Sequence, residues 1–278
     1  MRTTARRSVL VAIIVTSAVS VFILFTFALE GQSATYDGPK KAAIVDQLYD
    51  DLPNLHFQKT SREYLESEDY QVDYFTTKDI TVDFYKALPS MNYKLIIIRT
   101  HSSITPDNDK KPDSADLFTG EKYQQDKYIY EQLSGHVRKS AFFYSSHRVQ
   151  YDNGTVTLIP VVSESGTYFS VGSKFVNEQM TGKFPDSIII IGGCTALGNP
   201  ILADSLMNRG ASAIIGWDNL VGSGHNDTVM LAVLRDLLVD KSDIVDTVES
   251  AMQKFGPDPD YHGALKYYPK SAASIHLQ

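Results

Sequence analysis

Apolar residues fall into short continuous runs separated by segments with helical spacing. Ala42-Ala-Ile-Val-Asp46, Tyr70–Phe75, Tyr93–Arg99, Ser187–Ile191 and Ala211–Trp217 read as strands. Most are continuously apolar rather than alternating, the pattern of strands buried on both faces. Residues 55–68, 79–88, 226–238 and 243–254 carry helical spacing. Another helix follows Asn199-Pro200, an N-cap with proline behind it, and stops at Gly210. Strands alternating with helices predict an α/β domain over residues 42–278, with helices on both faces of a mostly parallel sheet, a three-layer sandwich. Residues about 102–184 break the rhythm and read as an insertion. It holds a polar loop (Ile104–Ala115), a helix (Gln124–Leu133) and a β-rich stretch (Phe142–Val162) turning at Asp152-Asn153-Gly154.

The first thirty residues have a different character. Ser8–Leu29 is 22 residues without a charge, preceded by Arg2, Arg6 and Arg7 and followed by Glu30. As a helix it measures about 33 Å, close to the ~30 Å hydrocarbon core. The basic cluster on one side predicts a single-pass transmembrane helix at the cell membrane, N-terminus cytoplasmic and the rest extracellular. A cleaved signal peptide is the competing reading; its nearest cleavage site, ending at Ala34, has Gln32 at minus three. Residues 31–41 then form a short polar tether.

Charge narrows the function classes. The 278 residues carry 26 basic and 33 acidic side chains; beyond residue 30 there remain 23 and 32, a net −9. No basic footprint for nucleic acid is present. The one cysteine, Cys194, excludes an intrachain disulfide and multi-cysteine metal sites. No nucleotide-binding glycine motif occurs. Asp107, Asp109, Asp113 and Asp116 offer oxygens to calcium but lack the EF-hand glycine and glutamate; His225 and Asp227 lack a third metal ligand. No cofactor is indicated. Asn153 and Asn226 fit the glycosylation triplet.

Two residues stand where parallel sheets do chemistry, just beyond strand carboxyl ends. His101 follows the strand Tyr93–Arg99, and Cys194 follows Ser187–Ile191 and the pair Gly192-Gly193. If the strands are neighbours, imidazole and thiol meet across one crevice. There the imidazole can take the thiol proton and later protonate a leaving amine. The glycines leave room for a substrate carbonyl, the N–H of Cys194 can donate to an oxyanion, and the helix after Asn199 can favour thiolate. An inert buried cysteine with an incidental histidine is the alternative.

These residues resemble a family. Leu95-Ile-Ile-Ile-Arg-Thr-His101-Ser, Ile188-Ile-Ile-Ile-Gly-Gly-Cys194-Thr and the later Arg209-Gly-Ala with Ile214-Ile-Gly-Trp-Asp218 are similar to cysteine peptidases of the caspase, legumain, gingipain and CHAT-type group. The resemblance spans about Lys41–Val239 and shares the order histidine before cysteine. It implies a caspase-like sheet, no cofactor, a peptide or protein substrate, and a Cys194/His101 dyad. Gly193, Cys194 and Ser102 take the oxyanion positions; active members commonly carry glycine at the last. It also implies a primary pocket of Asp46, Asp218 and Trp217, suited to Arg or Lys before the scissile bond. On the residues alone, Asp218 reads equally as the cap of a turn and Asp46 as a solvated acid. The expected function is a membrane-anchored thiol endopeptidase. A catalytically silent receptor or scaffold and a cysteine amidohydrolase are the alternatives.

Overall fold

Isoleucine-rich strands form the centre of the molecule. The structure, a computed structural model, describes residues 39–104, 114–142, 147–150, 156–159 and 166–277, and the account below concerns these. Its strands are β1 (Lys41–Asp46), β2 (Gln71–Thr76), β3 (Leu95–Arg99), β4 (Ser102–Ile104), β5 (Ala115–Lys122), β6 (Val137–Ala141), β7 (His147–Gln150), β8 (Val156–Ile159), β9 (Thr167–Val171), β10 (Ser187–Gly192), β11 (Ala211–Trp217) and β12 (Leu265–Tyr268). Six of them form the main sheet in the order β12-β11-β10-β3-β1-β2. All neighbours are parallel except β12, which runs antiparallel to β11.

Alternation along each strand feeds two cores. Ala43, Val45, Ile96, Ile98, Ile189, Ile191 and Ile214 face one side, with Leu202 and Leu206 of the helix Ile201–Asn208. Ala42, Ile44, Leu95, Ile97, Ile188, Ile190 and Ile215 face the other, under the helices Leu55–Glu66, Ser223–Leu238 and Ile244–Phe255. Each such isoleucine contributes about 1.5–3 kcal/mol on burial.

The expected fold class needs correction. In place of a single three-layer sandwich there are two larger sheets and a two-stranded one. A four-stranded antiparallel half-barrel, β4-β5-β9-β6, is built from the stretch taken for an insertion, and Ala115, Leu117, Val137, Phe169 and Val171 enter the first core. Its strands are held by partners distant in sequence, such as Leu117 opposite Val171, which periodicity does not reveal. β7 and β8 form a separate hairpin. The helix expected over Gln124–Leu133 covers only Ile129–Leu133. The one expected over 79–88 is a helix at Val82–Ala87 flanked by 3-10 turns at Thr77–Asp79 and Leu88–Met91. No helix among the described residues is long and apolar enough to cross a membrane. Ser8–Leu29, the tether before Pro39, Asp107, Asp109, Asp113 and the turn with Asn153 lie outside the described residues.

Candidate functional site

Strand register brings the two chemical residues together. β10 pairs with β3 so that Gly192 stands opposite Arg99. His101 and Cys194 each lie two residues further on, at the same level beyond adjacent parallel strands, although 93 positions separate them in sequence. Both line one cleft of about 660 Å³, with Gly192 and Gly193 between them. The glycines are demanded by packing. A Cβ on Gly192 would lie 2.0 Å from Met230 Sδ, and one on Gly193 would lie 2.6 Å from Ser102 Oγ.

Cys194 sits at the top of a tight turn. Thr195 adopts φ 56°, a left-handed conformation that β-branched residues disfavour. Its N–H donates to Asn219 O at 2.9 Å, and Leu197 N–H donates to Trp217 O at 2.8 Å, so the turn is stitched to the end of β11. The Cys194 thiol donates to Val221 O at 3.6 Å. Burial pushes the thiol pKa up, and the Asp258 carboxylate adds to the rise. The thiolate expected from the helix after Asn199 is therefore not the resting state. That helix begins at Ile201 with Pro200, not Asn199, at its N-cap, and the Ile201 N–H is already taken by Asn199 Oδ1 at 3.1 Å.

His101 is held from two sides. Its N–H donates to Gln47 Oε1 at 3.0 Å, an amide that also accepts from Thr100 Oγ1. Its ring stacks on Phe142 at 3.8 Å between centroids, with Tyr168 stacked in turn on Phe142. Burial, with the positive charge of Arg99 nearby, lowers the imidazole pKa to about 4. At neutral pH the pair is thus thiol and neutral imidazole. Ser102 donates its hydroxyl to Cys194 O, which ties the histidine strand to the cysteine turn.

The pocket acids do not converge. Asp46 is fully buried and faces Arg99, whose Nη1 donates to it at 2.8 Å, while Tyr74 donates to its other oxygen at 2.7 Å. Asp218 accepts from Ala264 N–H at 2.8 Å and pairs with Lys266 at 3.7 Å. Trp217 is fully buried, its indole N–H donating to Asn226 Oδ1 at 2.8 Å. None of the three lines the cleft. Asn226 is buried in the same network and is no exposed glycosylation acceptor. Asp116 is buried and paired with Arg138 at 3.2 Å. No group of three or more metal-ligating side chains occurs among the described residues.

Other residues complete the site. Leu48, Leu52, Leu220 and Val221 give the cleft apolar walls, and Asp258–Tyr261 closes one side. Asp258 is nearly fully buried and accepts N–H bonds from Gly222, Asp260 and Tyr261 at 2.9, 3.0 and 2.7 Å. Arg99, also buried, donates Nε and Nη2 to Asp227 at 2.7 and 2.8 Å and Nη2 to Leu52 O at 2.7 Å. Asp227 further accepts from Asn54 at 2.8 Å. Gln47, Arg99, Val221 and Asp258 escape sequence reasoning because each acts through a residue distant along the chain. The one available hint was Arg99, a charge ending an otherwise apolar strand.

Comparisons add little to this geometry. No family model matches the chain, and no curated protein does. Among solved structures it is similar to the crystal structure of protein GSU0716 from Geobacter sulfurreducens, at 10% identity and a TM-score of 0.36, covering 86% of this chain and 98% of that one. A likeness this slight assigns no fold, and the caspase-like sheet expected from the motifs gains nothing from it.

Proposed function

We propose that the chain is a cysteine hydrolase of peptide bonds, an endopeptidase with Cys194 as nucleophile and His101 as general base. The observation that supports it best is the register placing both residues at one level in one cleft. In the resting state the proton stays on sulfur. A substrate carbonyl entering over Gly193 displaces the thiol from Val221 O, and the proton passes to the imidazole as sulfur attacks the carbonyl carbon. The oxyanion formed is met by N–H groups of the Gly193-Cys194 turn. Collapse breaks the C–N bond, the imidazolium protonates the departing amine, and water then hydrolyses the thioester.

With Asp46 spent on Arg99, selectivity for Arg or Lys loses its support, and the apolar walls suit an uncharged side chain. The placement we propose is the cell membrane with residues 39–278 on the outer face. It rests on the charge pattern around Ser8–Leu29.

A second reading, a catalytically silent module, draws on the thiol held by Val221 and the imidazole beneath Phe142. Hydrolysis of a fluorogenic peptide library by the full chain decides between them. Activity that disappears in Cys194→Ala supports the enzyme. Activity that survives in that variant excludes Cys194 as nucleophile, and a wild type that neither cleaves nor reacts with iodoacetamide favours the silent module.

A further inference from the structure

We propose that His225 is a substrate-contacting residue of this cleft, forming a hydrogen bond through Nε2 to a main-chain amide of a bound peptide. The inference rests on the reading of Cys194 as a nucleophile toward peptides and names a residue that fixes how the peptide lies.

His225 lines the same cleft as His101. It belongs to the first turn of the helix Ser223–Leu238, two residues before Asp227. Its ring leans on Trp217, with centroids 5.5 Å apart and planes inclined by 54°. Trp217 is buried and its indole N–H is anchored to Asn226, so the support under the imidazole is rigid. The helix itself is pinned below by Asp227 on Arg99 and above by Asp258 on the Gly222 N–H. Little freedom remains for the ring to find another partner.

Three polar side chains of the cleft are already engaged. Thr100 Oγ1 lies on Gln47 and Phe118, Asn226 on Trp217 and Asp227, and Asp258 on three N–H groups. His225 Nε2 differs. It is shut off from solvent and has no hydrogen-bond partner among the described residues, although its ring lines the cleft. Leaving such an atom unmatched costs the empty protein free energy that a ligand group restores. A peptide bond offers a carbonyl acceptor and an N–H donor, so either imidazole tautomer gains a partner when a peptide occupies the cleft that His225 lines.

The test compares two electrophiles on the full chain: iodoacetamide, which needs only the thiol, and peptidyl vinyl sulfones with uncharged side chains, which also need the cleft. Cys194 of the wild type should react with the best peptidyl reagent far faster than with iodoacetamide. His225→Phe, which keeps a flat ring on Trp217, should lower the peptidyl rate by about tenfold or more, the scale of a lost hydrogen bond. His225→Gln, which keeps an amide within reach, should recover part of that loss. Both variants should react with iodoacetamide within about twofold of the wild type, because the thiol is untouched. A peptidyl advantage retained in full by His225→Phe overturns the inference and leaves the nucleophile reading standing. No peptidyl advantage in the wild type overturns the nucleophile reading, and this inference with it.

Discussion

A histidine with a pKa near 4 records how thoroughly His101 is enclosed. In the unfolded chain the same group titrates near 6.5, so the folded state binds fewer protons between the two values. The stability His101 contributes is therefore complete above about pH 6.5 and is lost as the pH falls through about 4. The span is worth about 3 kcal/mol at 1.36 kcal/mol per unit. Denaturant midpoints measured from pH 7 to 4 should decline more steeply in the wild type than in His101→Gln. For the proposed hydrolysis, kcat/KM should hold to about pH 5 before falling, because the base stays neutral that far; an acid limb centred at 6.5 would contradict the enclosure. The neighbouring turn stores strain of a different kind. Thr195 combines a positive φ with a buried hydroxyl that lacks a partner among the described residues. Thr195→Gly should raise stability by about 1 kcal/mol, or ~2–4 °C in Tm, because glycine relieves both costs. A lowered midpoint would show that the turn is relaxed.

Between elements, the strongest tie is one guanidinium. Arg99 on β3 joins Asp46 at the end of β1, Asp227 in the helix over Ser223–Leu238, and the carbonyl of Leu52. Asn54, which caps the helix Leu55–Glu66 by accepting from Phe57 N–H at 3.0 Å, reaches the same Asp227. Three segments of the cleft wall thus depend on a buried cation two residues before His101. Arg99→Met would leave two carboxylates unmatched, at a cost of about 3–5 kcal/mol in urea unfolding. Adding Asp227→Asn to that variant should return part of the loss, since one stranded charge is removed. A single variant of undiminished stability would mean that the network contributes nothing net.

Across the whole molecule, legibility followed distance along the chain. Most of the five parallel strands were readable because they are continuous apolar runs, and the carboxyl ends of β3 and β10 pointed to His101 and Cys194. The partnership of Asp46 with Arg99 was not readable, because 53 residues and a parallel register lie between them. An aspartate at a strand end looks the same in sequence whether it faces a ligand or a buried arginine. The half-barrel was hidden for a related reason. Its strand β5, Ala-Asp-Leu-Phe-Thr-Gly-Glu-Lys, buries Asp116 and Thr119 among its apolar residues, so neither the alternating nor the continuous apolar pattern marks it. Gly192-Gly193 was read as room for a substrate, and the structure adds that Met230 and Ser102 already press on that space.

The antiparallel course of β12 also has a consequence for the order in which the protein is made. Because β12 returns against β11, Asp258–Tyr261 arrives at the carboxyl ends of the parallel strands, where it closes the cleft and holds Gly222. Thiol and imidazole leave the ribosome well before this segment, so a nascent chain carries both reactive groups without their shared enclosure. Closure of the cleft around Cys194 and His101 is thereby postponed until β12 has docked on β11.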